Sequence, residues 1–110
     1  MRQFDIYYWQ PPRWIEAHPC VIMSHPDRVA RRDLVELVAC STQHAQRNPE
    51  DSELLLDEAD GLDWATICHC DLIYAAPRAA LKIKKGRVTE ARQAPMIRTI
   101  IAAHGWAAVF

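Results

Sequence analysis

The stretch Thr66-Ile67-Cys68-His69-Cys70-Asp71-Leu72-Ile73-Tyr74 decides how this chain is read. It is apolar, contains neither glycine nor proline, and is followed by Pro77, so it predicts a strand. Side chains alternate across a strand. Thr66, Cys68, Cys70, Leu72 and Tyr74 are therefore expected on one face, with Ile67, His69, Asp71 and Ile73 on the other. The second face sets two ionisable residues side by side near mid-strand.

Working outward, more short strands follow. Phe4 to Trp9 predicts a first strand, stopped by Pro11-Pro12, which cannot join a ladder. Residues 10–18 form a loop carrying Arg13, Trp14, Glu16 and His18. Pro19 to Ser24 is a short apolar strand, and His25-Pro26-Asp27 a turn, because the residue before proline avoids the helical region. Residues 27–42 fit either a helix capped by Asp27 or a strand from about Leu34, and periodicity alone does not choose. After a polar loop over 43–52 with Asn48-Pro49, Glu53 to Asp57 is a strand, residues 58–62 a turn, and Leu81 to Val88 a basic strand or hairpin around Gly86.

The chain closes with a helix. Thr89 is a candidate cap, and Met96, Ile97, Ile100, Ile101 and His104 follow one helical face as core residues. Pro95 removes a hydrogen bond from the interior, so the regular helix is expected from about Gln93. Gly105 stands where a left-handed C-terminal cap belongs. Strands followed by one amphipathic helix give a mostly β fold with a C-terminal helix, as a small barrel or twisted sheet.

The chain has 110 residues, the size of one domain spanning 1–110. Such a length buries roughly two-thirds of its unfolded surface, enough for a core without staples. Thirteen basic and fourteen acidic residues give a net charge of −1, so nucleic-acid binding would need a local patch. No apolar run approaches the ~18 residues of a spanning helix. The start, Met1-Arg2-Gln3-Phe4-Asp5, lacks a signal peptide's features, so a soluble, cytoplasmic protein is expected. The three glycines are isolated, which excludes a glycine-rich phosphate loop, and no G-x-S-x-G motif occurs.

Cys20, Cys40, Cys68 and Cys70 each lie in an apolar run and are read as reduced core thiols. The alternative is a zinc site using Cys68 and Cys70 with His69 or His18, although Cys-x-Cys on a strand fits zinc spacing poorly. No cofactor or metal is expected.

Three segments, Ala17-His18-Pro19-Cys20-Val21-Ile22-Met23-Ser24, Leu37-Val38-Ala39-Cys40-Ser41-Thr42-Gln43 and Ile67-Cys68-His69-Cys70-Asp71-Leu72, follow the aspartate-initiated strand Asp5-Ile6-Tyr7-Tyr8-Trp9. In this order they resemble the MazF/PemK toxins of bacterial toxin–antitoxin pairs. The resemblance spans nearly the whole chain through short motifs. It implies a homodimeric SH3-like barrel acting as a metal-independent, sequence-selective endoribonuclease on single-stranded RNA, neutralised by an antitoxin protein. By the same resemblance, His18 occupies the place of the family's loop arginine and Ser41, with Thr42 beside it, that of the catalytic threonine. His69 and Asp71 occupy the family's Arg-x-Asp. Both family arginines are histidines here, and the loop from Gln10 to Ala17 is shorter.

The residue chemistry agrees. Cleaving RNA through its 2′-hydroxyl needs a base, donors for the phosphorane, and an acid for the leaving 5′-oxygen. Two histidines can supply base and acid, Asp71 can hold the His69 tautomer, and Ser41 or Thr42 can donate to a phosphate oxygen. The catalytic candidates are thus His18, Ser41, His69 and Asp71. The RNA-binding candidates are Arg13, Thr42, Lys82 and Lys84. The run 82–87 and Arg28, Arg31 and Arg32 form a solvated edge or an RNA groove. His44 and His104 are taken as structural, Trp9 and Trp14 as packing over the barrel mouth, and Val109 and Phe110 as candidates for an interface. The alternative function is a barrel that has lost catalysis and binds RNA or a protein.

Overall fold

The computed structural model describes residues 1–109. Its strands are β1 (Asp5–Trp9), β2 (His18–Ile22), β3 (Leu34–Cys40), β4 (Glu53–Leu56), β5 (Thr66–Pro77) and β6 (Lys84–Arg87), with helices α1 (Pro26–Arg31) and α2 (Glu90–Ala103). All six strands pair antiparallel in one sheet of order β4-β5-β3-β2-β1-β6. The mostly β fold with a C-terminal helix is the one expected. Phe110 lies outside the described residues, and Val109 is exposed.

The ambiguous segment resolves into both options. Pro26 presets φ for a first helical residue, and His25 caps α1 by accepting the Asp27 amide on Nδ1 at 3.1 Å. The expected turn at 25–27 is therefore a helix start. The apolar run from Leu34 pairs with β2 on one side and β5 on the other, as a central strand.

Central strands are buried on both faces, which explains their nearly continuous apolar sequence. Ile6, Val21, Val38, Cys40, Cys68 and Cys70 pack with Met96 and Ile100 of α2. The alternate residues Trp9, Cys20, Ile22, Val35, Leu37 and Ala39 pack with Val29, Ala76 and Leu81. All four cysteines are free and buried, and burial pushes the Cys20 thiol up to about 12. Ile97 and Ile101, expected in the core with Met96 and Ile100, are only half-buried.

The strict alternation expected along β5 fails at one point. Cys40 of β3 opposes Cys68, but Val38 opposes Ile73, so residues 69–72 bulge. A bulge changes the face parity of everything beyond it. Cys68 and Cys70 face the α2 core, yet Ile73 packs there too, and Tyr74 joins the other cluster. Leu72 is half exposed.

The sheet curls until β6 meets the Glu58–Asp60 turn that follows β4. At this seam Gly61 and Gly86 face each other, and Gly61 has a φ of +91°. Asp60, 1% exposed, binds Arg92 and accepts the Thr89 amide at 2.8 Å. Asp57 takes two bonds from Arg92 at 2.8 and 2.9 Å, and Lys85 reaches Asp63 at 2.6 Å.

This seam also corrects the expected helix start. α2 begins at Glu90, with Pro95 inside it, because Asp57 and Asp60 anchor its first turn through Arg92 and offset the one bond that Pro95 removes. The Thr89 hydroxyl makes no capping bond. Gly105 adopts the left-handed φ of 71° expected after the helix.

Candidate functional site

A cleft of about 490 Å³ opens where the β1–β2 loop, the end of β3 and the middle of β5 meet. Arg13, Trp14, Glu16, His18, Ser41, His69 and Tyr74 line it. The loop is short and pinned. Gln10 donates to the Trp14 and Ile15 carbonyls at 3.2 and 3.0 Å. Trp14 packs edge-on against Trp9 at 5.1 Å, Tyr74 at 5.4 Å and His18 at 4.7 Å. Trp9 thus packs as expected, whereas Trp14 packs and also walls the cleft. Glu16 accepts from the Thr42 hydroxyl at 2.6 Å, tying the loop to the end of β3.

His18 leads into β2 opposite Trp9. Its Nδ1 lies 2.8 Å from the Cys40 carbonyl oxygen. A carbonyl only accepts, so Nδ1 carries the proton and the neutral ring presents a bare Nε2. That is the form of imidazole that can take a proton.

His69 is held differently. It sits directly opposite Glu53 in the β4–β5 ladder, with Nδ1 3.3 Å from Glu53 Oε2. Arg47 donates to both oxygens of the same carboxylate, at 2.6 and 2.8 Å, and the Glu50 amide donates at 2.8 Å. The Glu53 side chain is 7% exposed, whereas those of Arg47 and His69 are 51% and 44% exposed. The Arg47 guanidinium first, and the Glu50 amide next, hold the Glu53 carboxyl at about 2 against the opposing effect of burial.

A folded-state value below the ordinary 4.5 means that the ionised form stabilises the fold. That contribution is complete above about pH 5 and is lost as pH falls from about 4.5 toward 2. The melting temperature of Glu53→Gln should therefore drop less than that of wild type between about pH 6 and about pH 3. Parallel falls in thermal scans would exclude this carboxylate from acid stability.

The structure brings His18, Ser41, His69 and Arg13 to one cleft. Ser41 sits where this cleft meets two others, of about 220 and 440 Å³. Its hydroxyl accepts the Gln43 amide at 3.2 Å, the local strand-end bond such a residue makes. Thr42 lines the 220 Å³ neighbour with Tyr8, Trp64 and Lys85.

Three sequence candidates fall elsewhere. Asp71, expected beside His69, lies on the bulge, is exposed, does not line the cleft, and makes no ion pair among the described residues. Alternation is kept through Cys68 and Cys70, which share the α2 core, and is lost before Ile73, so Asp71 sits at the point where the ladder to β3 breaks. Lys84 is spent on the buried Asp5 at 3.5 Å, and neither Lys82 nor Lys84 lines any of the three cavities. β6 is the far edge of the sheet, and from its run only Lys85 reaches them. Arg28, Arg31 and Arg32 gather around a separate depression beside α1. Glu53, Arg47 and Tyr74 were missed. The first two carry no local motif, and Tyr74 reaches the cleft only through the parity change. Among the described residues, no group of three or more His, Cys, Asp or Glu is arranged to hold a metal ion.

No protein-family model matches the sequence, and no curated protein matches it. Solved structures do match the fold. The Mycobacterium tuberculosis toxin MazF-mt6 superposes with a TM-score of 0.78 at 18% identity, over 92% of this chain and 96% of that one. An endoribonuclease in complex with its cognate antitoxin, from a mycobacterial species, gives 0.78 at 19%, over 96% and 93%. A MazE–MazF structure from Deinococcus radiodurans gives 0.72 at 11%, over 96% and 95%. This chain has the fold of the MazF toxins.

Proposed function

From that fold and this cleft, we propose that the chain is the toxin of a toxin–antitoxin pair, a metal-independent, sequence-selective endoribonuclease for single-stranded RNA. The observation that carries the reading is the 2.8 Å contact between His18 Nδ1 and the Cys40 carbonyl oxygen. The Nδ1–H of His18 is committed to the Cys40 carbonyl, so Nε2 is a proton acceptor on a cleft shared with His69, Ser41 and Arg13. His18 takes the proton of the 2′-hydroxyl, whose oxygen attacks phosphorus. The bond from phosphorus to the 5′-oxygen breaks, and protonated His69 supplies that oxygen with its proton. Ser41 and Arg13 donate to the non-bridging oxygens, where charge develops.

The products are a 2′,3′-cyclic phosphate and a 5′-hydroxyl. The two histidines end with exchanged protonation states, and solvent resets them. A mycobacterial neighbour carrying its antitoxin and the MazE–MazF pair support a protein partner of that kind for this chain. A homodimer acting in the cytoplasm completes the proposal. No helix among the described residues is long and apolar enough to cross a membrane.

The direct test is incubation of a long single-stranded RNA with the purified protein in EDTA, with the fragment ends analysed. Discrete fragments bearing cyclic phosphate and 5′-hydroxyl ends are expected. Intact RNA from well-folded protein across about pH 5.5–8 would instead assign the chain as a binding module in which two histidines did not replace two arginines.

A further inference from the structure

We propose that Glu53 is a positioning residue for His69, clamped in turn by Arg47; the catalytic consequence rests on the ribonuclease reading, whereas the geometry does not. Three observations carry it. First, Glu53 and His69 are direct cross-strand partners, so backbone register rather than a flexible side chain sets the contact at 3.3 Å. Such opposed pairs have Cβ atoms about 5 Å apart.

Second, the carboxylate is immobilised before it meets the imidazole. Arg47 occupies both oxygens, the Glu50 amide adds a third donor, and only 7% of the side chain is exposed. An exposed ion pair usually gains little because two mobile chains must be ordered. Here one partner is already fixed, with Oε2 lying 3.3 Å from the ring Nδ1.

Third, the surrounding charges make the effect directional. Arg47 and Glu53 nearly cancel each other. His44 lines the neighbouring cavity with His69, while Arg13, Glu16 and His18 share the cleft. What Glu53 offers is an acceptor at Nδ1. It fixes the proton there and leaves Nε2, which has no protein partner among the described residues, as the nitrogen that delivers a proton to the 5′-oxygen. In outcome this mirrors His18, whose Nδ1 is fixed by a carbonyl. The two rings expose the same nitrogen by different means.

The test reads the tautomer of neutral His69 from imidazole ¹⁵N resonances at alkaline pH, assigned with His69→Asn. Wild type is expected to carry the proton on Nδ1. In Glu53→Gln the single amide oxygen is claimed by Arg47, which leaves the NH₂ toward Nδ1, so the proton is expected on Nε2. With RNA, kcat should fall about a hundredfold while KM stays within about threefold, and Glu53→Asp should recover part of the loss. Wild-type His69 protonated on Nε2 would overturn the proposal without reference to any variant, as would an unchanged tautomer in Glu53→Gln. Should wild type cut no RNA while the tautomer still switches, the ribonuclease reading fails and the hold of Glu53 on His69 stands.

Discussion

His69→Ala is expected to slow RNA cleavage by about a thousandfold while shifting the melting temperature by no more than about 2 °C. The two halves of this expectation have separate physical grounds. The ring is 44% exposed and lies on a bulged part of β5, so its removal empties no packed volume. Its carboxylate partner keeps both bonds from Arg47 and the bond from the Glu50 amide, and no charge is left buried without a partner. Loss of a proton donor at the leaving oxygen, by contrast, removes a contribution made only in the transition state. Gel-based cleavage rates and thermal scans on the same preparation check both halves. A collapse in melting temperature with cleavage retained would remove His69 from the mechanism.

The second large effect concerns the seam that closes the sheet. Gly86→Ala should destabilise the fold by about 3 kcal/mol or more, lowering the melting temperature by about 12 °C or more. A Cβ at position 86 would lie 2.1 Å from the Asp60 carbonyl oxygen and 2.9 Å from the Gly61 Cα. Both obstacles are backbone, so no rotamer change relieves them. The required shift would pull Asp60 away from Arg92 and the Thr89 amide and leave a buried carboxylate poorly paired. Gly105→Ala makes the comparison. Among the described residues nothing lies within 4 Å of a Cβ at that position, so only the cost of its positive φ is expected, about 1 kcal/mol. Equal losses for the two variants, measured by chemical denaturation, would show that the seam tolerates a methyl group.

Much of the site was legible in the sequence. His-Pro opening an apolar strand, Cys-Ser-Thr closing another and His within a third mark the ends and middles of strands that one cleft brings together. Strand ends and loops are where a sheet leaves polar side chains free to act. The candidates that lie outside the cleft cluster where local pattern gives way to register. Asp71 was placed beside His69 by alternation, and in the structure it is exposed at the bulge and outside the cleft lining. Lys84 was assigned by charge, and the buried Asp5 claimed it. Glu53 reads locally as nothing more than the first residue of a short strand.

Strands β1, β2, β4 and β5, the C-terminal helix and the left-handed Gly105 were legible in the sequence, whereas β3 was not, because periodicity left residues 27–42 open between helix and strand. The legible elements follow from interactions within a few residues: alternation, proline's missing donor, the conformational freedom of glycine. Tertiary structure alone decided which acid faces His69, which lysine reaches the cavities and why Gly61 and Gly86 must both be glycine. Each of those depends on pairing between segments far apart in the chain, and a single residue of register moves a side chain to the opposite face of the sheet.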